Sequence, residues 1–256
     1  MGKYSGYLIC TDFDGTFYNG KEIPKRNMDA IRRFKAEGGL FTIATGRSPD
    51  FIPQYFPDYE FGVPIITLNG AVLYDIEKNE TIYDRHMRGM TKALLTELIE
   101  KVPYVYQVSV FPGIECIRIP KDSISEQVSE ETLATTHKLV LYIDAANSKE
   151  KSDEAFKIAK DIIGERFVLV RSALFLIEIL DPELTKSAAT HYLKKMTGAH
   201  TLICVGDFEN DIDMVRDADI GYAVENAVDE LKAVADRITV NVNDGAIAKI
   251  IEDIGN

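Results

Sequence analysis

The chain opens with YLICT at residues 7 to 11, a run apolar on both alternating faces, and then passes through polar turn residues into a stretch with a period near 3.6. A short continuous apolar run bounded by turn residues reads as a strand covered on both sides, and the longer period as a helix. Pro24 stands at the start of that helical stretch and Gly38-Gly39 at its end, and LFTIAT (40 to 45) and PIITL (64 to 68) read as the next two strands. Proline in the first turn and glycine past the last are the expected helix boundaries. Strand, helix, strand in this order predicts βαβ units on a parallel sheet, and such sheets bind ligands at the carboxyl ends of their strands.

From about residue 83 to 181 the pattern changes. YVYQVSV, IECIRI, KLVLYID, FVLVRS and LFLIEIL read as strands, with helical stretches near 90 to 101, 122 to 135 and 149 to 163. Pro112-Gly113 gives the first two runs hairpin spacing, which predicts an antiparallel sheet with helices on one side. The α/β alternation resumes with a helix over 184 to 196, a strand TLICVGD (201 to 207) and a helix near 210 to 217. Asp181 followed by Pro182 is a suitable start for the first of these, as N-cap and first helical residue. The predicted organisation is an α/β, Rossmann-like parallel-sheet core made of residues 1–82 and 183–256, interrupted by an α+β domain over 83–182.

Composition narrows the function. The 256 residues are 46% hydrophobic and 27% charged, an ordinary globular balance that needs no disulfide or structural metal to fold. A net charge of -12 without a Lys/Arg run argues against a nucleic-acid partner. It also means that an anionic ligand must be held by local cations against the overall field. Cys10, Cys116 and Cys204, odd in number and scattered through apolar stretches, read as buried free thiols in a reducing cytoplasm. The N-terminal stretch enters its first strand without the long apolar segment of a signal peptide or membrane span, so a cytoplasmic protein with no membrane partner is expected.

Four clusters carry candidate chemistry. Asp12-Phe13-Asp14-Gly15-Thr16 follows the first strand. A carboxylate can attack phosphorus to give an acyl phosphate, and a second one can protonate the leaving oxygen and deprotonate the hydrolytic water. The same residue types also occur in plain strand-end turns. Thr45-Gly46-Arg47 follows the second strand and offers a hydroxyl and backbone N–H groups at a helix start, a phosphate seat, with Arg47 equally suited to a structural salt bridge. Lys186 would balance the charge of a phosphate and nearby aspartates, although a lone helical lysine is usually a surface residue. Gly206-Asp207-Phe208-Glu209-Asn210-Asp211 concentrates acidic groups at a strand end, as a magnesium ion requires, whereas a plain helix cap accounts for one carboxylate but not several.

In this order the four clusters resemble the motifs of the haloacid dehalogenase superfamily, and the interruption between the second and third, with Asn69-Gly70-Ala71 after the third strand, is similar to its Cof-type phosphatases with an α+β type IIB cap. Phe17, Ser187 and Glu225 depart from the usual leucine, glycine and glycine. The resemblance implies an Mg2+-dependent phosphatase acting on a small phosphorylated metabolite, a sugar phosphate first of all. It makes Asp12 the nucleophile and Asp14 the general acid and base, with the metal at Asp12, Asp14 and Asp207. Thr16, Thr45, Gly46, Arg47, Lys186 and Asn210 would hold the phosphoryl group, and Asp211 would orient its neighbours or the metal's waters. A phosphomutase or a non-catalytic phosphometabolite sensor on the same fold are the alternatives, and a monomer or weak homodimer is expected.

Overall fold

A computed structural model describes residues 2–56, 59–145 and 148–255. The chain forms two compact units, one of Met1–Tyr83 with Lys186–Asn256 and one of Asp84–Thr185. In chain order the first unit contributes β1 (Tyr7–Thr11), α1 (Lys25–Ala36), β2 (Leu40–Ile43), β3 (Ile65–Thr67), β4 (Val72–Asp75) and β5 (Glu80–Asp84), whose last residue enters the second unit. The second unit follows with α2 (Lys92–Lys101), β6 (Val105–Pro112), β7 (Ile117–Pro120), α3 (Ile124–Gln127), α4 (Glu130–Ala134), β8 (Thr136–Ile143), α5 (Lys149–Ile163), β9 (Val168–Ala173) and β10 (Leu176–Leu180). The first unit is completed by α6 (Lys186–Thr197), β11 (Thr201–Gly206), α7 (Ile212–Arg216), β12 (Ile220–Ala223), α8 (Asp229–Lys232), β13 (Arg237–Ile238) and α9 (Ala246–Ile254).

In the first unit five strands form a parallel sheet in the order β13-β12-β11-β1-β2, a parallel bridge from Ala44 to Ile66 adds β3 beside β2, and β3, β4 and β5 make a three-stranded sheet in which β4 runs antiparallel to β3. The apolar runs are buried because both faces are covered. Ile9, Ile43, Ile203 and Val205 pack with Ile31 and Phe34 of α1 and Ile247 and Ile251 of α9. Leu8, Cys10, Leu202 and Cys204 pack with Ala189 and Leu193 of α6. On α1 the buried positions Asn27, Ala30, Ile31 and Phe34 make the i, i+3, i+4, i+7 stripe of an amphipathic helix. The strand order reverses between β1 and β11, since β2 and β3 run outward on one side and β12 and β13 on the other. This is the switch point at which an open α/β sheet leaves a crevice beyond its strand ends.

The second unit is a five-stranded antiparallel sheet, β7-β6-β8-β10-β9. Val108, Val110, Leu139, Leu141, Ile177 and Ile179 alternate to one face and meet Leu95 and Leu98 of α2 and Ala155, Ala159 and Ile163 of α5. On the opposite face Lys138 and Glu178 form a buried ion pair at 2.5 Å.

Three local expectations are corrected. The helix expected from residue 184 begins at Lys186, because the Asp181 carboxylate is taken by Arg88 (N at 3.0 Å, Nε and Nη2 at 3.2 Å) and by Glu183 N instead of capping the helix. The stretch over 122 to 135 breaks into α3 and α4 at extended Val128 and Ser129, where the Ser129 hydroxyl caps α4 by accepting from Thr132 N. Cys116 is exposed, since it precedes β7 in the turn after Gly113, while Cys10 and Cys204 are buried on adjacent strands.

Candidate active site

Asp12 sits one residue past β1, where its N–H donates to Val205 O at 2.8 Å and extends the pairing with β11 beyond the last strand residue. The next residue holds the loop in place. Phe13 is fully buried, stacked on Tyr18 at 5.3 Å and in edge contact with Tyr55 at 5.0 Å. With Phe13 anchored in this aromatic cluster, the two flanking carboxylates reach different partners. Asp12, 6% exposed, accepts from Lys186 Nζ at 2.5 Å. Asp14 accepts a bidentate pair from Arg47, Nε to Oδ2 and Nη2 to Oδ1, both at 2.7 Å. Arg47 is itself held by Tyr55 Oη at 2.8 Å and lies over the Phe13 and Tyr55 rings. A planar guanidinium matched to a carboxylate is the most geometrically demanding of ion pairs, so Asp14 has a defined resting position.

Lys186, the first residue of α6 and 2% exposed, donates to both Asp12 Oδ1 and Asp211 Oδ1, the latter at 2.7 Å. Asp211 is fully buried and uses its other oxygen to accept from Asp207 N at 3.1 Å and Phe208 N at 3.4 Å. It thus shapes the turn after β11 and also shares the lysine. Gly206 permits this, because a Cβ there would lie 2.4 Å from Asp211 Cβ. Asp207 accepts from Thr16 Oγ1 at 2.9 Å. Gly15, at φ +87°, lies so near Asp207 that a Cβ would come within 2.4 Å of Oδ2. The Gly15 carbonyl in turn accepts from Asn226 Nδ2 at 2.8 Å, and Asn226 Oδ1 accepts from Val242 N. Thr45 is buried past β2, its N–H donating to Ile66 O and its hydroxyl accepting from Arg47 N. Gly46 packs its α-carbon beside the Asn69 amide, and Asn210 lies half-buried in the turn Glu209–Asp211.

Eight of the ten candidate residues therefore fall into two groups linked through Phe13, with Gly46 and Asn210 in the turns beside them. Asp12, Thr16, Lys186, Asp207 and Asp211 form one, and Asp14, Thr45 and Arg47 the other. Asn226 lies in the stretch after β12 that resembles the family's carboxyl-terminal segment, but its role as a brace for the Gly15 carbonyl emerges only from the fold.

The electrostatics of the first group are unbalanced. Burial, Asp211 and Asp207 drive the Asp12 carboxyl well above the usual carboxylate range against the opposing pull of Lys186. Burial and Asp211 raise Asp207 to about 7. Lys186, which burial alone would lower, is instead raised because Asp12 and Asp211 outweigh it, so it stays an ammonium. Lys186 is bonded to Asp12 and Asp211, while Asp12, Asp207 and Asp211 each offer an oxygen within 4.8 Å of the others. An all-oxygen donor set with excess negative charge fits a hard divalent cation such as Mg2+, and does not fit a soft metal.

A parallel α/β sheet with buried carboxylates and a lysine at its switch point defines a hydrolase core of the haloacid dehalogenase type. The sequence pattern of the haloacid dehalogenase-like hydrolases matches residues 9–251, and the chain belongs to that family. It is 28% identical over 96% of its length to YxeH of Bacillus subtilis, provisionally described as a phosphatase, covering 97% of that protein. It is 24% identical, with the same two coverages, to YitU of Bacillus subtilis, a 5-amino-6-(5-phospho-D-ribitylamino)uracil phosphatase. Among solved structures it resembles the subclass IIB sugar phosphatase BT4131 with a TM-score of 0.77, at 21% identity and covering 97% of this chain and 99% of that one.

Proposed function

We propose that this chain is an Mg2+-dependent phosphatase that hydrolyses small phosphate monoesters of sugars or polyols through an aspartyl phosphate on Asp12. The observation that carries the reading is the buried Asp12–Lys186–Asp211 chain beside Asp207, at the switch point of a parallel sheet. Two full-length relatives described as phosphatases support the reaction class. The phospho-ribityl group in one name and the sugar phosphatase among the solved structures support a sugar-like substrate.

In this reading Asp12 attacks phosphorus in line, forming the aspartyl phosphate as the bond to the leaving oxygen breaks. Asp14 gives a proton to that oxygen and then takes one from the water that hydrolyses the intermediate. To do so it exchanges its Arg47 pairing for the substrate, and Arg47 returns it to a fixed position afterwards. Lys186 keeps Asp12 aimed and carries positive charge to the phosphoryl oxygens, with Thr45, Gly46 and Asn210 supplying further donors. Asp12, Asp207 and the backbone carbonyl of Asp14 would hold the Mg2+, which when bound supplies charge neutralisation for the phosphoryl group. Asp211 acts through Lys186 and the Asp207 backbone. The buried free thiols Cys10 and Cys204 fit a cytoplasmic enzyme.

The test is phosphate release from a panel of phosphorylated sugars, polyols and nucleotides with and without Mg2+, wild type beside Asp12→Asn. Release that needs both the metal and Asp12 supports the reading. An isomerised sugar phosphate without free phosphate would point to a mutase, and no turnover of any panel member would refute the enzyme.

A further inference from the structure

The second unit contains a group of titratable side chains that the phosphatase reading leaves unused. Asp84 is the last residue of β5, His86 follows it in the connecting stretch, and His137 lies on β8, all within the same compact unit. Their ligand atoms lie within 4.8 Å of one another. His86 Nε2 stands 3.1 Å from Asp84 Oδ1, and His137 Nε2 stands 3.9 Å from the same oxygen. The two imidazoles stack at 4.8 Å with an interplanar angle of 23°.

His137 gives this cluster its direction. It is fully buried, its Nδ1 is 2.9 Å from the Arg85 carbonyl, and its Nε2 has no hydrogen-bond partner among the described residues. An Nδ1–H bonded to a backbone carbonyl fixes the tautomer and leaves the Nε2 lone pair bare, which is the way ligating histidines are oriented. A buried polar atom without a partner is costly. This one faces a carboxylate and a second imidazole at a separation too long for a hydrogen bond.

We propose that Asp84, His86 and His137 form a second metal site, for Zn2+, which ties the stretch 84–86 to β8. Ligand atoms bound tetrahedrally to zinc at its usual bond lengths stand about 3.3 Å apart. The separations of 3.1 and 3.9 Å around Asp84 Oδ1 are close to this, and the partly exposed His86 ring would turn out of its stack on His137 to aim its lone pair at the ion. Two imidazoles and one carboxylate suit zinc and its neighbours, whereas Mg2+ prefers oxygen alone. This separates the site from the acidic cluster after β1 and β11. Asp84 and His86 side chains are each 40% exposed, so the ion would have a route from solvent and a fourth position open to water or an exogenous ligand.

The measurement is zinc bound per chain, by metal analysis after chelator treatment and dialysis of the whole enzyme against micromolar Zn2+ with millimolar Mg2+. Wild type is compared with His86→Gln, His137→Gln and His200→Gln. His86 is partly exposed, so its variant keeps the fold even where loss of buried His137 disturbs it. We expect His86→Gln to bind one zinc fewer than wild type, whatever the acidic cluster takes up, and His200→Gln to match wild type. Substituted Co2+ should lose its tetrahedral visible bands in His86→Gln and keep them in Asp207→Asn. Equal zinc counts in wild type and His86→Gln, including none in either, would overturn the proposal.

Discussion

Replacing Asp207 by asparagine should make the metal-free protein more stable while abolishing its activity. Asp207 is raised from the ordinary aspartate value of 3.8 to about 7, first by burial and then by Asp211. At about pH 8 its carboxylate is ionised in both folded and unfolded chains, so the folded state bears the full cost of the buried charge. One pH unit of displacement corresponds to about 1.4 kcal/mol, and the cost is therefore about 4 kcal/mol, or about 2–4 kcal/mol once the residue's partial exposure is counted. The amide introduced by Asp207→Asn carries no charge, and its oxygen can still accept from Thr16 Oγ1, the contact now made at 2.9 Å.

The sign with pH follows from the direction of the shift. Stability tied to a carboxyl raised on folding is fully present below its unfolded value and is lost as pH rises through its folded one. Wild type should accordingly regain stability on acidification from about pH 8 toward pH 4, and the advantage of Asp207→Asn should shrink to less than half by about pH 5. Urea denaturation in chelator at the two pH values measures this, with a shifted midpoint at unchanged slope. Mg2+ should reverse the order at about pH 8 by stabilising wild type more than the variant. The reasoning fails if Asp207→Asn is no more stable than wild type in chelator at about pH 8, or if its advantage persists undiminished at about pH 5.

Arg47→Lys should lower kcat about 10- to 100-fold with a smaller change in KM, because an ammonium cannot reproduce the two 2.7 Å bonds that fix Asp14, and steady-state kinetics with the best panel substrate checks it. Gly15→Ala should destabilise by about 1–3 kcal/mol and weaken Mg2+ binding, since it forces φ +87° on a side chain whose Cβ would meet the Asp207 carboxylate. Thermal denaturation with and without metal reads both effects. In the second unit, Lys138→Met should cost up to about 3–5 kcal/mol by removing the ammonium 2.5 Å from the buried Glu178 carboxylate, while Lys138→Met with Glu178→Leu should recover most of that loss. A double variant as unstable as the single one would show that the ion pair is not the source of the cost.

What could be read from the sequence depended on how far apart the interacting residues lie along it. β1 and α1 were legible because apolar runs, a 3.6 period, Pro24 and Gly38 act over a few residues. The same local logic misplaced the start of α6, because Asp181 is claimed by Arg88, a partner that no window around residue 181 contains. At the site, residue types and order were enough to single out Asp12, Lys186, Asp207 and Asp211, but not how they share charge. Asp211 was expected to orient its neighbours or the metal's waters, but which groups it holds appears only once the turn after β11 directs one of its oxygens to Lys186 and the other to two backbone N–H groups. Arg47 fitted a salt bridge or a substrate contact equally well, and only the approach of two strand ends pairs it with Asp14. The pairing of His86 with His137 had no readable spacing, and the stretch around Asn226 gave no sign of its contact with Gly15, since each contact is defined by a partner brought close by sheet topology. Groups that react occur in recognisable clusters because the chemistry demands their types together. Groups that hold them need only the right distance, which many sequences can supply from anywhere in the fold, so they become visible only when the chain is folded.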